Sequence, residues 1–243
     1  MPTDPVAVMG MAFGNPASWD LTVGKGELHI LQEKQYLIQR MIRTGFTHSE
    51  EKLPSISSSR ICVFYFGPDN PVRTRMKGVM AFAPGSNLFD LYVAPVEGWT
   101  EWVQYNVAHE YHHSAWMGAN PNHDPYGFTL LEYLVFEGRA DNFASEVTKM
   151  RGPWDHALSA TQECELFTQI TPLLKTTGPV LPEVMFGRGN KYPTWTGYTL
   201  GFAIVNSYVA RHPKESVEHW TMLNASALLA GSGYSLCSSP AGQ

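Results

Sequence analysis

The 243-residue chain lacks the features of several protein classes. Charged residues make up 16% of it and the net charge is −5, so it has no basic footprint for nucleic acid. No apolar run approaches the 18 residues that suggest a transmembrane helix, and the sequence predicts no membrane partner. The N-terminus lacks a basic segment followed by an apolar run, so we expect no secretory signal and a cytoplasmic location.

Cysteine is scarce as well, and its pattern excludes two kinds of site. The three cysteines, Cys62, Cys164 and Cys237, are odd in number and far apart, which predicts no disulfide framework. None of them lies in C-x-x-C spacing, so they form no zinc site of their own. We therefore expect thiols that are buried or free.

A five-residue motif narrows the function most. Residues 109 to 113 read H-E-Y-H-H, which fits the pattern H-E-x-x-H. On a helix, residues i and i+4 lie on one face, so His109 and His113 can bind a single metal ion. Glu110 follows the first histidine and can take a proton from an attacking water. These groups are the minimum for zinc-assisted hydrolysis of a peptide bond.

The pentapeptide alone leaves a second interpretation open, a polar helix face with two solvated histidines. Its surroundings favour the metal site. Apolar residues precede it at helical spacing, namely Trp99, Trp102, Val103 and Val107. Gly118 and the Asn120-Pro121 pair supply a stop just past Met117. We expect the motif in the last turns of an amphipathic helix of about five turns.

A catalytic zinc site needs a third protein ligand, with water in the fourth position. The candidate is Glu137, on a second helix that begins with a T-x-x-E capping box at Thr129 and Glu132. Asp141 follows one turn later and can accept the other ring N–H of a ligand histidine. The alternative is two acids on a solvated face, but the apolar and small residues around Glu137 favour the metal.

The combination of H-E-x-x-H with E-x-x-x-D on a second helix resembles the gluzincins, the thermolysin-like branch of the zincin metallopeptidases. The resemblance implies one zinc ion per chain, held by His109, His113 and Glu137. It also implies that Glu110 is the general base and that Asp141 is the partner of the first histidine.

A closer resemblance is to the YjaZ-type family of predicted zinc-dependent proteases. Three stretches carry it: V-A-H-E-Y-H-H at 107 to 113, L-V-F-E-G-R-A-D at 134 to 141 and G-Y-T-L-G at 197 to 201. The similarity covers residues 25 to 236. It implies a fold and a bound metal, and says little about the substrate. The sequence distance between the second histidine and the glutamate is longer than gluzincins usually have, which indicates an extended loop at 120 to 127.

The segments before the metal helix predict a small sheet with helices. We expect a helix over 26 to 44 that ends at Gly45, and a loop over 49 to 59. Strands are expected at 60 to 66, which we interpret as buried, and in a hairpin of 79 to 82 with 88 to 93. The last strand is our candidate for a sheet edge that pairs with extended substrate.

The segments after Gly152 predict helices. We expect a helix with a capping box at 159 to 162, a loop over 173 to 194, a helix over 196 to 211 and a last helix from Pro213 to about 229. The predicted fold is α+β and zincin-like, a single domain of 1 to 243. Its sheet-containing half is 1 to 120 and its helical half is 121 to 243, with the cleft between them.

The oxyanion of peptide hydrolysis needs a donor besides the metal, and Tyr198 is our candidate. Its setting, G-Y-x-x-G, allows close approach of the backbone to the site. A core tyrosine on an apolar helix is the open alternative. His112, three residues after His109, is an open alternative as a metal ligand, although it explains Glu110 less well.

These features predict a zinc metalloprotease whose partner is a peptide or protein substrate. The chain has no identifiable motif for a free N-terminal amine, which favours an endopeptidase. Two alternatives remain. One is a zinc-binding regulatory or binding module with a degenerate site, although a structural zinc site favours cysteine and no cysteine lies near the motif. The other is a zinc hydrolase of a non-peptide amide, which uses the same metal chemistry.

Overall fold

The computed structural model describes residues 20 to 54, 58 to 70, 72 to 124 and 127 to 234. Its strands are β1 (Arg60–Tyr65), β2 (Val79–Gly85) and β3 (Leu88–Val93). The helices up to residue 121 are α1 (Leu21–Glu33), α2 (Gln35–Lys52), α3 (Val72–Arg75) and α4 (Trp99–Ala119). The later helices are α5 (Leu130–Thr148), α6 (Ala160–Ile170), α7 (Val180–Phe186), α8 (Thr196–Arg211), α9 (Val217–Met222) and α10 (Ala225–Ser232), with 3₁₀ turns at Thr171–Leu173 and Arg188–Asn190.

The three strands form one mixed sheet in the order β1-β3-β2. Strand β3 runs parallel to β1 and antiparallel to β2, and Leu91 lies opposite both Val63 and Ala81. The α+β prediction, with a small mixed sheet early in the chain and a helical remainder, is therefore confirmed. The predicted β2–β3 hairpin is also confirmed, although β2 is longer than expected and has an irregular register between Phe82 and Gly85.

The prediction that β3 lies at the sheet edge is wrong. Strand β3 is the central strand, and its last three residues are all buried. Among the described strands, β1 and β2 form the two edges. Pro84 within β2 is consistent with this order, because proline lacks the N–H that an inner strand must donate.

The prediction that β1 is buried is also wrong. Two of its apolar side chains remain exposed, Val63 at 45% and Phe64 at 38%. Strand β1 has one neighbouring strand, so only one of its edges is covered. One of its faces is also partly exposed. Apolar and β-branched content predicts a strand at this position, but it does not distinguish an edge strand from a central one.

Chain contacts group the described residues into two compact units. The first falls within 1 to 121 together with 144 to 150, and the second within 122 to 143 together with 151 to 243. The prediction of a single domain with a cleft between its halves stays a prediction.

In the first unit, α4 packs against α2, β2 and β3. One face of the sheet meets these helices in a core of Ile38, Val79, Leu91, Val93, Trp99 and Val103. The other face has a smaller core around Phe66 and Tyr92. Alternate residues of β3 thus serve opposite faces, as the pleat of a strand requires.

The predicted helix over 26 to 44 is two helices, α1 and α2, which meet at Lys34. The second continues through Gly45 to Lys52, so the predicted end at Gly45 and the predicted loop from 49 are wrong. Gly45 lies against the backbone of α4, and a Cβ atom there would be 3.1 Å from the carbonyl oxygen of Gln104. Glycine marks a close helix contact at this position and not a helix end.

Helix α4 begins at Trp99 and ends at Ala119, close to the predicted bounds. It is not amphipathic, however, because every residue from Tyr105 to Ser114 is buried. A helix that is buried around its whole circumference has no solvated stripe, so spacing of apolar residues alone does not describe it. The interpretation of two solvated histidines is therefore excluded.

In the second unit, α5 and α8 cross with their backbones in contact. A Cβ atom on Gly138 would overlap the carbonyl of Gly201, and a Cβ atom on Gly201 would overlap the carbonyl of Leu134. The side-chain amide of Asn142 bridges the two helices, donating to the carbonyls of Gly138 and Phe202 at 2.7 and 3.0 Å. Helices α6, α7 and α10 also pack on α8.

Two predicted capping boxes are confirmed. At the start of α5, the Glu132 carboxylate accepts from the backbone N–H of Thr129 at 2.8 Å, and the Thr129 hydroxyl accepts from the backbone N–H of Glu132 at 3.4 Å. At the start of α6, Ser159 and Gln162 form the same reciprocal pair. Both boxes satisfy N–H groups that a helix start leaves without partners.

Two predictions for the C-terminal region need correction. The predicted loop of 173 to 194 contains α7 and the 3₁₀ turn Arg188–Asn190. The predicted last helix is two helices, and the first begins at Val217 and not at Pro213. The side chains of Ser216 and Asn224 each cap a separate helix start, which explains both the late beginning and the break.

The prediction of thiols alone is wrong at one position, because Cys164 is in a disulfide bond. Cys62 is a free thiol, as expected. Cys237 lies outside the described residues. None of the described helices is both long and apolar enough to cross a membrane.

The contact of α5 with α8 gives a test of the fold. Gly201→Ala should lower the free energy of unfolding by about 1–3 kcal/mol, because the new methyl group overlaps a backbone carbonyl that cannot move aside. Chemical denaturation measures this difference.

The control is Gly26→Ala in α1, where no atom lies within 4 Å of the new methyl group. It should raise stability by up to about 1 kcal/mol through helix propensity. Equal effects of the two substitutions would contradict the close crossing.

Candidate metal centre

His109 and His113 lie one turn apart on α4 and face each other. Their Nε2 atoms are 3.0 Å apart, and their rings meet edge to face with centroids separated by 4.6 Å. Two imidazole nitrogens bound to one tetrahedral zinc at 2.0–2.1 Å would be about 3.3 Å apart. The observed separation is close to that value, so the pair is arranged to share one ion.

Glu137 completes a group of three. One candidate ligand atom from each of His109, His113 and Glu137 lies within 4.8 Å of the other two, and all three residues are buried. Within the part of the chain that the structure describes, this is the one group that satisfies these criteria for holding a metal ion. Two imidazoles and a carboxylate are a donor set that suits zinc and leaves a fourth position open. The residues therefore fit a zinc ion.

Two side chains, Tyr111 and Ser114, hold α4 in place beside its histidines. The Tyr111 hydroxyl donates to the carbonyl of Leu53 at 2.6 Å, and its ring meets the edge of Phe46 at 5.1 Å. The Ser114 hydroxyl donates to the carbonyl of Ser86 in the β2–β3 turn. Tyr111 lies between the two histidines in sequence and Ser114 follows the second, so these bonds limit rotation and sliding of the helix. Sequence reasoning missed both anchors, because their partners are distant in the chain.

The position of Glu137 on α5 follows from its neighbours. Gly138 lies at the crossing with α8, and Asn142 bonds the two helices together one turn later. Rotation of α5 about its axis would break these contacts. The glycine at 138, which the sequence shows only as a small residue beside the glutamate, thus fixes the direction in which the Glu137 side chain leaves the helix.

Asp141 is fully buried and has a partner that sequence reasoning missed. Its Oδ1 accepts a hydrogen bond from the indole N–H of Trp154 at 2.9 Å. The Thr199 hydroxyl donates to the backbone carbonyl of Trp154 at 2.7 Å, which ties the segment after α5 to α8. The role of Asp141 as partner of a ligand histidine stays a prediction. No spacing rule links residues 141 and 154, so the sequence carried no signal for this bond.

Glu110 and His112 are both buried on α4. Glu110 is adjacent to His109, as the motif requires, and its role as general base stays a prediction. His112 lies with its ring centroid 6.4 Å from that of His113. It is not a member of the group of three candidate ligands. The geometry therefore favours His109 and His113 as the histidine ligands.

Tyr198 lies on α8 and is half-buried. Its ring packs among those of Trp154, Phe186 and Trp195, with centroids 6.4, 5.8 and 5.4 Å away. Its role as oxyanion donor stays a prediction. The two glycines of the G-Y-x-x-G stretch have another explanation, because Gly197 accommodates Met185 and Gly201 accommodates α5.

Arg139 is a buried charge on α5 next to the glycine of the crossing. Its guanidinium donates to the carbonyl of Leu223, the residue that follows α9. Burial lowers the pKa of Arg139 to about 10, so it still carries a positive charge at neutral pH. A cation at the carboxyl end of a helix is favourable, and this contact fixes α9 to α5.

Comparison with known families agrees with the chemistry of the group. A family model described as "Predicted Zn-dependent protease (DUF2268)" matches residues 38 to 230, which is most of the chain. No curated protein and no solved structure matches the chain significantly. The matched segment contains both helices that carry the three candidate ligands.

The bond between Trp154 and Asp141 can be tested by Trp154→Phe. The phenyl ring fills most of the space but cannot donate, so the buried carboxylate loses a hydrogen bond. We expect the free energy of unfolding to fall by about 1–3 kcal/mol beyond the loss that the smaller buried area of the phenyl ring causes.

Trp195→Phe is the matched control, since the Trp195 ring belongs to the same aromatic group and its indole N–H donates to none of the described residues. Chemical denaturation of both variants measures the difference. Equal losses would mean that the indole N–H contributes nothing.

Proposed function

This chain belongs to the family of predicted Zn-dependent proteases, and we propose that it is a zinc peptidase of gluzincin type, with one zinc ion per chain. The observation that supports the proposal best is the buried group of His109, His113 and Glu137. These three residues would hold the ion. The two histidines come from an H-E-x-x-H helix and the glutamate from a following helix, which is the arrangement that the gluzincin resemblance implies.

A bound zinc ion supplies Lewis-acid chemistry, since it polarises a carbonyl and lowers the pKa of water toward about 7. Glu110 takes the proton of the attacking water and later delivers it to the leaving amine. Its place beside His109 on a buried helix supports this role. Tyr198 donates to the oxyanion that forms on the substrate carbonyl.

Asp141 acts through a ligand histidine. Trp154 orients the carboxylate through Oδ1, so Asp141 can accept the ring N–H of His109 with its other oxygen. Such a bond fixes the tautomer of the histidine and raises its basicity as a ligand. Trp154 and Thr199 would thereby support the metal centre through Asp141.

We propose that the substrate is a peptide or protein and that the bond cleaved lies inside the substrate, away from its ends. Extended peptides can bind by adding a strand to a sheet edge. Since β3 is central, the edge that packs on the metal helix α4 is β2. The turn that follows β2 is bonded to Ser114, the residue after His113. An extended segment paired with β2 would therefore run alongside the metal helix.

The test is hydrolysis of an unbiased peptide library by the zinc-loaded protein. Wild type should cleave it. Glu110→Gln should keep zinc and lose turnover by about 100- to 10,000-fold, because an amide cannot accept the proton. His109→Ala should lose both zinc and turnover. Mass spectrometry of the products measures turnover and also reports whether cleavage is internal.

Glu101→Gln is the control, because Glu101 is an exposed acid in the first turn of the same helix. It should leave zinc binding and turnover unchanged. Full turnover in Glu110→Gln would contradict the general-base role. A wild type that binds zinc but cleaves no peptide would favour a non-peptide amide substrate or a binding module.

A further inference from the structure

Helix α5 carries three buried polar side chains on one face, at successive turns. Tyr133, Glu137 and Asp141 are spaced by four residues and are 2%, 1% and 0% exposed. Residues i, i+4 and i+8 lie above one another along a helix. Two of the three already have a role in the proposed metal centre. Tyr133 is the third member of the row, and no sequence motif pointed to it.

The hydroxyl of Tyr133 lacks an explanation in packing. It is fully buried and has no hydrogen-bond partner among the described residues. The ring itself is well accommodated, with Phe128 and Phe186 at centroid distances of 6.2 and 6.5 Å. A phenylalanine would make the same ring contacts without burying a polar atom. Burial of a hydroxyl without a partner is unfavourable, so the oxygen atom points to a partner that the described residues do not supply as they stand.

The chemistry of the hydroxyl and its place on α5 indicate which partner suits it. A tyrosine hydroxyl is protonated at neutral pH and can donate a hydrogen bond. Glu137 supplies a carboxylate one turn further along the same face of α5. A carboxylate that binds a metal through one oxygen keeps a second oxygen that can accept a hydrogen bond.

We propose that Tyr133 is a positioning residue of the metal centre, whose hydroxyl donates a hydrogen bond to the Glu137 carboxylate when that carboxylate binds zinc. This inference rests on the proposed function. The bond would hold the carboxylate in the orientation that zinc requires, and it would satisfy the buried hydroxyl only in the zinc-bound protein. Tyr133 thus favours the zinc-bound form over the metal-free form.

Tyr133→Phe tests the proposal through zinc affinity, measured by competition with a chromophoric chelator. Removal of a hydrogen bond to a metal ligand typically weakens metal binding 10- to 100-fold, and we expect a loss in that range. The metal-free variant should be at least as stable as wild type in chemical denaturation, because it no longer buries an unsatisfied hydroxyl. A purely structural hydroxyl would leave zinc affinity unchanged.

Tyr192→Phe is the matched control. The Tyr192 hydroxyl is also buried without a partner among the described residues. Tyr192 lies outside α5, and the ammonium group of Lys191 lies 5.2 Å from the centre of its ring. This variant removes the same chemical group from another place, so zinc affinity should not change. A Co²⁺-loaded sample gives a second readout, since its visible absorption should shift in Tyr133→Phe and not in Tyr192→Phe.

The outcomes separate this inference from the proposed function. Wild type that binds zinc and cleaves peptide, with equal zinc affinity in Tyr133→Phe, would overturn the role of Tyr133 alone. Wild type that binds no zinc would overturn both. A loss of affinity in Tyr133→Phe together with a less stable metal-free form would also contradict the proposal, because the hydroxyl would then serve the fold.

Discussion

The contact between the backbones of α5 and α8 is the constraint on which the second half of the candidate site depends. Gly138 and Gly201 meet with no room for a side chain on either helix. Asn142 then bonds across the crossing to the carbonyl of Phe202. Once this contact forms, the rotation of α5 is fixed, and so is the face that carries Tyr133, Glu137 and Asp141. The position of Glu137, a candidate metal ligand, is thus determined by its glycine neighbour.

The candidate site gathers many polar groups that are largely shielded from bulk water. His109, Glu110, His113, Glu137 and Asp141 are all buried. Burial of charged and polar groups is unfavourable unless they are bonded to one another or to a metal. A zinc ion would offset this cost at three of the five residues, which links metal binding to the stability of the fold. Within the first unit, Tyr111 and Ser114 anchor the helix that carries His109 and His113, so these two side chains are held in place by the surrounding structure.

Local patterns predicted the parts of the structure that local forces determine. His109 and His113 share one helix face, and so do Glu137 and Asp141. Both placements follow from helix geometry alone, because residues four apart lie on the same side of a helix. The capping box at Thr129 and the bounds of α4 and α8 likewise depend on residues a few positions apart. In each case the interacting groups are neighbours in the sequence.

What the sequence did not reveal depends on contacts between distant segments. Strand order is such a property. In the sequence, Pro84 is the feature that favours β2 over β3 as an edge strand. Gly45 is another example, since the local sequence predicts a helix end there and its packing partner, Gln104, is far along the chain. The bond from Trp154 to Asp141 and the buried hydroxyl of Tyr133 have no sequence signature. Nothing in the local sequence predicts a polar role for a tryptophan at 154 or a tyrosine at 133.

The measurement that tests the central claim most directly is the metal content of protein purified without added metal. Wild type, Glu137→Ala and Glu146→Ala are compared by elemental analysis, since Glu146 lies on the same helix but pairs with Lys52 at a partly exposed position. The account predicts about one zinc per chain in wild type and Glu146→Ala, and little or none in Glu137→Ala. Wild type with no metal, and none taken up when zinc is added, would contradict it.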